Sequence, residues 1–338
     1  MLDQLERPLR DLRISVTDRC NLRCTYCMPR QVYGPGHEFM HSEELLSFPE
    51  IARLARVFAR LGVNKIRLTG GEPLLRSGLE RLVGELSVIP GVSDLALTTN
   101  GLALAARAQR LADAGLGRVT VSLDALDPQT ARLMSDTPVR PGRVLEGIHA
   151  ATAAGLSPVK VNMVVRRGVN DEQLPAMAAH FRNRPEVLRF IEYMDVGSSN
   201  GWQMRDVVPA ADILAAIDAR WPLQALPPTG EGEVARRYRY RDGAGEIGVI
   251  GSVSVPFCAT CTRARLSADG KLFTCLFARR GTDLRAMLRS GASDSQITAA
   301  IEAVWSARSD RYSAQRTRTA ARAGAPDPAR VEMSYIGG

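Results

Sequence analysis

Three cysteines within eight residues, Cys20-Asn21-Leu22-Arg23-Cys24-Thr25-Tyr26-Cys27, constrain this chain more than any other stretch. They follow an apolar run, Leu12-Arg13-Ile14-Ser15-Val16, that reads as a β-strand. Free cysteines seldom cluster on a polar loop, and thiolates gathered there suit a soft metal centre better than a packed core. A structural zinc site takes four ligands, commonly in two pairs. Here a third cysteine is close by and a fourth is missing. An iron–sulfur cluster held by three thiolates leaves one iron open, and an open iron implies a small-molecule ligand and chemistry.

The spacing Cys-x3-Cys-x2-Cys, with aromatic Tyr26 before the last cysteine, resembles the radical S-adenosylmethionine (SAM) superfamily. The resemblance implies a cluster whose open iron is chelated by the amino and carboxylate groups of SAM. Reduction then cleaves SAM to methionine and a 5′-deoxyadenosyl radical, which takes a hydrogen from substrate. The motif identifies the initiating chemistry and not the substrate.

The rest of the chain repeats one rhythm. A helix is expected from Ser42, as its cap, to Leu61, with Gly62 just past its end. The short strand Asn64–Thr69 then leads into Gly70-Gly71-Glu72-Pro73. Leu95–Thr98 precedes Thr99-Asn100-Gly101 and a helix to about Ala114. Arg118–Leu123 precedes Asp124 and one helical stretch ending near Gly155. Val159–Val165 precedes the helix Asp171–Arg182, and Val187–Glu192 ends at Tyr193-Met194-Asp195. Six strand–helix units in series imply a parallel α/β sheet, with the polar and glycine-rich sequences at the C-terminal strand ends. In an α/β barrel that face carries the active site. Periodicity leaves a curled barrel and a doubly wound sheet both open; the resemblance implies a partial (β/α)6 TIM-type barrel.

From about Val196 the rhythm stops. A short helix at Ala210–Arg220 and a break at Pro227-Pro228-Thr229-Gly230 come first. A hairpin follows, with arms Val234–Tyr240 and Glu246–Ile250. The expected division is therefore 1–195 as the barrel and 196–338 as a smaller C-terminal region. Arg308 to Arg322 is strongly basic and reads as a solvated helix or flexible segment. The segment Asp136–Pro141 is assigned no role. No apolar run is long enough for a membrane helix, and the N-terminus lacks the layout of a signal peptide. Six cysteines without such a signal point to reduced thiols or metal ligands, hence to the cytoplasm. The formal charge of +8 could serve nucleic acid or an anionic nucleotide, but aromatics at 5% are too sparse for a stacking platform.

The remaining cysteines form a second triad, Cys258 and Cys261 with Cys275 further on. None of the four histidines has ligand spacing to it. A zinc site borrowing a distant ligand and a second cluster with an open iron both fit three thiolates. Arg263 and Arg265 alternate about Ala264, so an extended segment points both to one face, where they would draw in an anion. Lys65 and Arg67, like Lys160 and Arg189, are charges inside otherwise apolar strands. Burying them unpaired is costly, which favours an anionic ligand inside the barrel, paired structural charges being the alternative.

Both triads, the Lys65–Pro73 segment and the terminal Gly337-Gly338 together resemble, nearly end to end, the GTP 3′,8-cyclase family of molybdenum cofactor biosynthesis. One departure is Thr262, where that family usually has asparagine. The resemblance implies two [4Fe–4S] clusters, one on Cys20, Cys24 and Cys27 and one on Cys258, Cys261 and Cys275. It places SAM against Tyr26, Gly70, Gly71, Glu72, Ser122 and Met194. It places GTP against Arg13, Lys65, Arg67, Thr98, Lys160, Arg189, Arg263, Ala264 and Arg265, and gives Arg263, Arg265, Gly337 and Gly338 a part in catalysis. The implied reaction is removal of hydrogen from the ribose C3′ of GTP and attack of C3′ on guanine C8. An electron donor and cyclic pyranopterin monophosphate synthase are the implied partners, with no nucleic acid and no membrane, for a monomer or homodimer. The rivals are a peptide-modifying radical SAM maturase and a basic nucleic-acid-binding protein with zinc-stabilised loops.

Overall fold

The computed structural model describes residues 1–230, 232–319 and 330–338, and for 317–319 the backbone alone. The six expected strands are all present: β1 (Asp11–Ser15), β2 (Lys65–Thr69), β3 (Asp94–Thr99), β4 (Arg118–Ser122), β5 (Lys160–Val165) and β6 (Val187–Glu192). They pair in sequence order and all parallel. The connecting helices are α1 (Phe48–Arg60), α2 (Leu79–Ser87), α3 (Ala108–Asp113), α4 (Pro128–Ser135), α5 (Pro141–Ala153) and α6 (Leu174–Phe181).

Three expected helices differ from this. The first begins at Phe48, not after Ser42, because Ser47 and Glu50 close a capping box that satisfies the free amides of the first turn. The stretch from Asp124 to Gly155 is two helices. Asp136 turns left-handed at φ 43° and closes α4, and Pro141 opens α5 at a position where its missing N–H costs nothing. The segment Asp136–Pro141 is that break. The helix expected over Asp171–Arg182 starts as a 3-10 turn at Asp171–Gln173 and becomes α-helical only from Leu174.

Beyond Val196 come α7 (Ala210–Asp218), β7 (Leu223–Leu226), β8 (Arg236–Tyr240), β9 (Glu246–Ile250), β10 (Arg263–Leu266), β11 (Lys271–Phe273) and β12 (Thr282–Asp283). The chain ends with α8 (Leu284–Arg289), α9 (Asp294–Ser306), α10 (Tyr312–Thr319) and α11 (Met333–Ile336). The expected hairpin is β8–β9. This region places strands at both edges of one twelve-stranded sheet: β9 runs parallel beside β6, and β10 parallel beside β1. β9 and β10 are not paired with each other, so the curled sheet stays open along that seam.

Strand alternation sorts the two faces. Leu12, Ile14, Ile66, Leu68, Val161 and Phe190 point outward into a continuous apolar core under the helices. Each such side chain contributes about 1.5–3 kcal/mol by leaving water. The intervening residues point inward and are mostly polar or charged, which leaves a cavity where a packed interior would otherwise be. Among the described residues no helix is long and apolar enough to cross a membrane.

Candidate active site

The cavity inside the curled sheet has a volume of about 990 Å³. Both cysteine triads line it. The first leaves β1 on a loop whose backbone docks on the end of α4, with Arg23 N donating to the Ser135 carbonyl at 3.1 Å and Thr25 N to that of Met134 at 2.9 Å. Arg23 also folds back onto the carbonyls of Cys20 and Leu22 at 2.8 and 2.7 Å. Burial pushes the Cys20 thiol up to about 11 and raises Cys24 and Cys27 further, with nearby carboxylates and thiols adding to the effect.

Gly70 and Gly71 are required by this loop. A Cβ on Gly70 would stand 2.5 Å from the Thr17 carbonyl oxygen, and one on Gly71 would stand 2.3 Å from that of Arg19. The end of β2 thus presses directly on the backbone leading to Cys20, an approach that only glycine permits. Glu72 is fully buried and spends its carboxylate on this junction. It accepts from the Thr99 hydroxyl and Asn100 N, each at 2.7 Å, and from Leu74 N at 3.0 Å. Its side chain ties the turn to β3, and burial, the largest influence, raises its pKa.

Tyr26 donates its hydroxyl to Asp124 at 2.8 Å, and Asp124 also accepts from Val164 N at 2.9 Å. Burial lifts this carboxyl to about 6. Asp124 was assigned no role from sequence, although its place at the C-terminal end of β4 was a usable signal. Ser122 and Met194 line the same part of the cavity.

Opposite, the strand register stacks the basic residues. Arg13 on β1 stands level with Arg67 on β2 and Arg265 on β10, and one step below Asp11 stands level with Lys65 and Arg263. At that lower step Lys65 has two carboxylates in reach, Asp11 at 3.5 Å and Asp94 at 3.9 Å, and Asp94 is held more closely by Arg118. The alternative of paired structural charge therefore holds in part for Lys65. Among the described residues Arg13, Arg67 and Lys160 have no ion pair, and the buried Nε atoms of Arg13 and Arg67 have no hydrogen-bond partner. Arg189 donates to the Asn162 side chain at 2.9 Å and the Thr120 hydroxyl at 3.4 Å, with no carboxylate. The Thr98 hydroxyl is buried and unpartnered.

These cations repel one another. Burial and then Arg265, Arg67 and Arg263 pull Arg13 well below its usual range. Burial and Arg67 bring Arg189 down to about 9, and burial and Arg189 bring Lys160 down to about 8. A guanidinium keeps its proton at neutral pH, so the depression expresses crowded charge that an anion would relieve.

At the open seam, Cys258, Cys261 and Cys275 face the same space. Burial works to raise Cys261, yet Arg263 and Arg308 outweigh it and draw the thiol down to about 6. Arg263 Nη2 lies 3.4 Å from its sulfur. No group of three or more His, Cys, Asp or Glu side chains among the described residues converges as a single metal ion requires. Ala264 is fully buried in the outward core, away from the cavity, as the strand's alternation demands. Gly338 lines the cavity, while Gly337 reaches it through its carbonyl, which accepts from Arg265 Nη1.

The basic segment from Arg308 departs from the expected solvated character. Arg308 and Arg316 are buried, the first against Asp3 and the second 2.7 Å from Asp195. Residues 320–322 of that segment lie outside the described residues.

Residues 14–181 match the Radical SAM superfamily and residues 187–314 match Molybdenum Cofactor Synthesis C. A protein of Acidothermus cellulolyticus named GTP 3′,8-cyclase is 55% identical, covering 99% of this chain and 98% of its own length. Proteins of the same name from Staphylococcus aureus and Staphylococcus haemolyticus are 47% and 44% identical over the same shares. The chain belongs to the GTP 3′,8-cyclase family. As a radical SAM protein of this family it uses a [4Fe–4S] cluster and SAM. The first triad suits that cluster: three half-buried cysteines on one tightly held loop lining the cavity, with no fourth cysteine beside them.

Proposed function

We propose that this protein converts GTP to (8S)-3′,8-cyclo-7,8-dihydroguanosine 5′-triphosphate, the first step of molybdenum cofactor biosynthesis. The observation that carries the reading is the level row of Arg265, Arg13 and Arg67, without carboxylate partners among the described residues, in a cavity that both cysteine triads line. A triphosphate supplies the missing negative charge, and guanidinium groups meet phosphate oxygens through forked, charge-assisted hydrogen bonds.

In this reading Cys20, Cys24 and Cys27 hold the SAM-binding cluster, and Cys258, Cys261 and Cys275 hold a second [4Fe–4S] cluster near the guanine. When bound and reduced, the first cluster supplies a 5′-deoxyadenosyl radical from SAM. The backbone of Gly70 and Gly71, braced by Glu72, lies against SAM together with Tyr26, Ser122 and Met194. Arg13, Lys65, Arg67, Thr98, Lys160 and Arg189 hold the nucleotide, so that ribose and base stay folded toward each other and C3′ can join C8. Arg263 and Arg265 approach it from β10, where the backbone of Ala264 lies between them. Gly337 and Gly338 close the cavity and keep water out. Residues 1–195 form the SAM-cleaving part and 196–338 carry the second triad and the tail. A cytoplasmic electron donor supplies the reducing equivalents, and cyclic pyranopterin monophosphate synthase takes the product.

Anaerobic incubation with SAM, a reductant and each of the four ribonucleoside triphosphates tests this. A cyclised product is expected from GTP alone. Formation of 5′-deoxyadenosine without any product derived from GTP would overturn the reading.

A further inference from the structure

The second cysteine triad is gripped from behind by both ends of the chain. Asp3, Arg7 and Arg308 form a triad with side chains 0–2% exposed, lying next to the cavity wall. Arg7 Nε lies 2.7 Å from Asp3 Oδ2, and Arg308 Nη1 lies 3.2 Å from the same oxygen. Asp3 Oδ1 accepts from Leu5 N and Arg7 N, each at 2.9 Å, so the carboxylate is saturated. One nitrogen of each guanidinium, Nη1, also reaches a main-chain carbonyl of the cysteine loop, while Arg7 Nη2 and Arg308 Nε are buried without a hydrogen-bond partner among the described residues. Arg7 Nη1 donates to the Cys258 carbonyl at 2.8 Å, and Arg308 Nη1 donates to the Cys261 carbonyl at 2.8 Å.

The third cysteine is reached through Asp310. Arg7 Nη1 also donates to the Asp310 carbonyl at 2.8 Å, and the Asp310 carboxylate accepts from the hydroxyl of Thr274, beside Cys275, at 2.6 Å. Trp305 backs the arrangement, with Arg308 lying 4.5 Å over its ring and its Nε1 donating to the Arg7 carbonyl at 3.2 Å. A buried triad of two cations and one anion is weak evidence for stability as such, but removing one member leaves an uncompensated charge. Here the hydrogen bonds that the two guanidiniums make beyond Asp3 end on the second cysteine set or on Asp310, which is tied to it through Thr274.

We infer that Asp3, Arg7 and Arg308 are positioning residues for the second cysteine site: a clamp built from the two chain ends that fixes the Cys258–Cys261 turn so that its thiolates converge with Cys275. The inference rests on the reading of that triad as a cluster site. The clamp makes the second cluster depend on residues distant from its ligands in sequence, Arg7 by 251 positions and Arg308 by 47. Arg308 meets the carboxylate and the carbonyl through Nη1 while its planar guanidinium lies over the Trp305 indole; a lysine ammonium keeps the charge and loses the stacking.

The test compares wild type, Arg308→Met, Arg308→Lys, Asp3→Asn and Cys275→Ala, all reconstituted anaerobically. Iron and sulfide content, the electron paramagnetic resonance signals of the reduced clusters and thermal unfolding are measured for each. Arg308→Met and Asp3→Asn should lose about half the iron and the signal that Cys275→Ala also lacks, and should keep the signal of the first cluster. Arg308→Lys should recover part of it. Both clusters retained with unchanged signals in Arg308→Met would overturn the clamp. Equal loss of both clusters, or an unfolded protein in Arg308→Met and Asp3→Asn alike, would also overturn it, by showing a general folding role. Wild type and Cys275→Ala with the same iron content would instead remove the second cluster itself, and the clamp with it.

Discussion

Arg265 stands where three demands meet: it is level with Arg13, it neighbours Arg263, and it holds the carbonyl of Gly337. Burial first, and Arg263 next, draw it down to about 10, still charged at neutral pH. A hydrogen bond to a charged group is worth about 1.5–3 kcal/mol, so Arg265→Ala should weaken GTP binding by roughly ten- to a hundredfold. Equilibrium binding to the cluster-loaded protein measures this, and Arg265→Lys should restore only part, since the forked contact is lost. Lys160 supplies a second residue-scale expectation. Its pKa near 8 arises from burial and then from Arg189, Arg118 and Arg67, with Glu233 opposing. A bound triphosphate favours the charged lysine, so GTP binding should take up a proton near pH 8 and weaken as pH rises beyond it. Calorimetry in buffers of different ionisation enthalpy detects the proton. Affinity that stays flat from pH 7 to about 9 and falls away in Lys160→Met to no greater extent would remove the lysine from the nucleotide site.

Among the elements, the C-terminal tail shows how a short segment is held in a narrow place. Glu332 accepts from Ser198 N at 2.8 Å and from the Ser198 and Ser199 hydroxyls at 2.9 Å, which anchors the tail to the loop after β6. Tyr335 donates to Asp269 at 2.6 Å on the other side. Just past these anchors Gly337 adopts φ 72°, and a Cβ there would stand 1.9 Å from the Thr69 hydroxyl at the end of β2. Both the conformation and the space exclude other residues. Gly337→Ala should therefore displace the tail and lower cyclised product, as should removal of both glycines, with iron content and thermal unfolding unchanged. Equal turnover in the truncated and full-length proteins would return the diglycine to an ordinary chain end. The loop after β6 is also fixed from α10: Asp195 receives the Tyr312 hydroxyl at 2.5 Å and Arg330 at 3.1 Å. Met194 precedes Asp195, so the C-terminal segment helps set the cavity wall at Met194.

For the molecule as a whole, the two cysteine triads belong to neighbouring strands of one sheet: the first leaves β1, and the second brackets β10 and β11, of which β10 lies beside it. They should be separable by function. Cys24→Ala should abolish 5′-deoxyadenosine formation, because the six cysteines include no spare ligand. Cys275→Ala should keep some SAM cleavage, bind GTP poorly and give no cyclised nucleotide. Each should lose about half the iron if both clusters are of the four-iron type. Iron assay, deoxyadenosine yield and cyclised product, measured side by side without oxygen, decide it. Cyclised product from Cys275→Ala near the wild-type rate would make the second triad merely structural.

Local chemistry was enough for much of this. The strand–helix rhythm, the cysteine spacing and the charges inside apolar strands are all set by near neighbours, and each was legible before any fold was known. Helix boundaries at Ser47 and Asp136 were misjudged because two capping serines compete within six residues and because a single left-handed residue breaks a helix without any glycine. Ala264 was grouped with its arginine neighbours, and only the alternation of β10 against a wall on each face sends it outward. Tertiary structure alone decided the rest. Long-range pairing puts β10 beside β1 and so brings Arg265 level with Arg13. Contacts between residues 3 and 308 turn a basic segment that looked solvated into a buried clamp, since a charge on its own sequence carries no mark of a partner three hundred residues away.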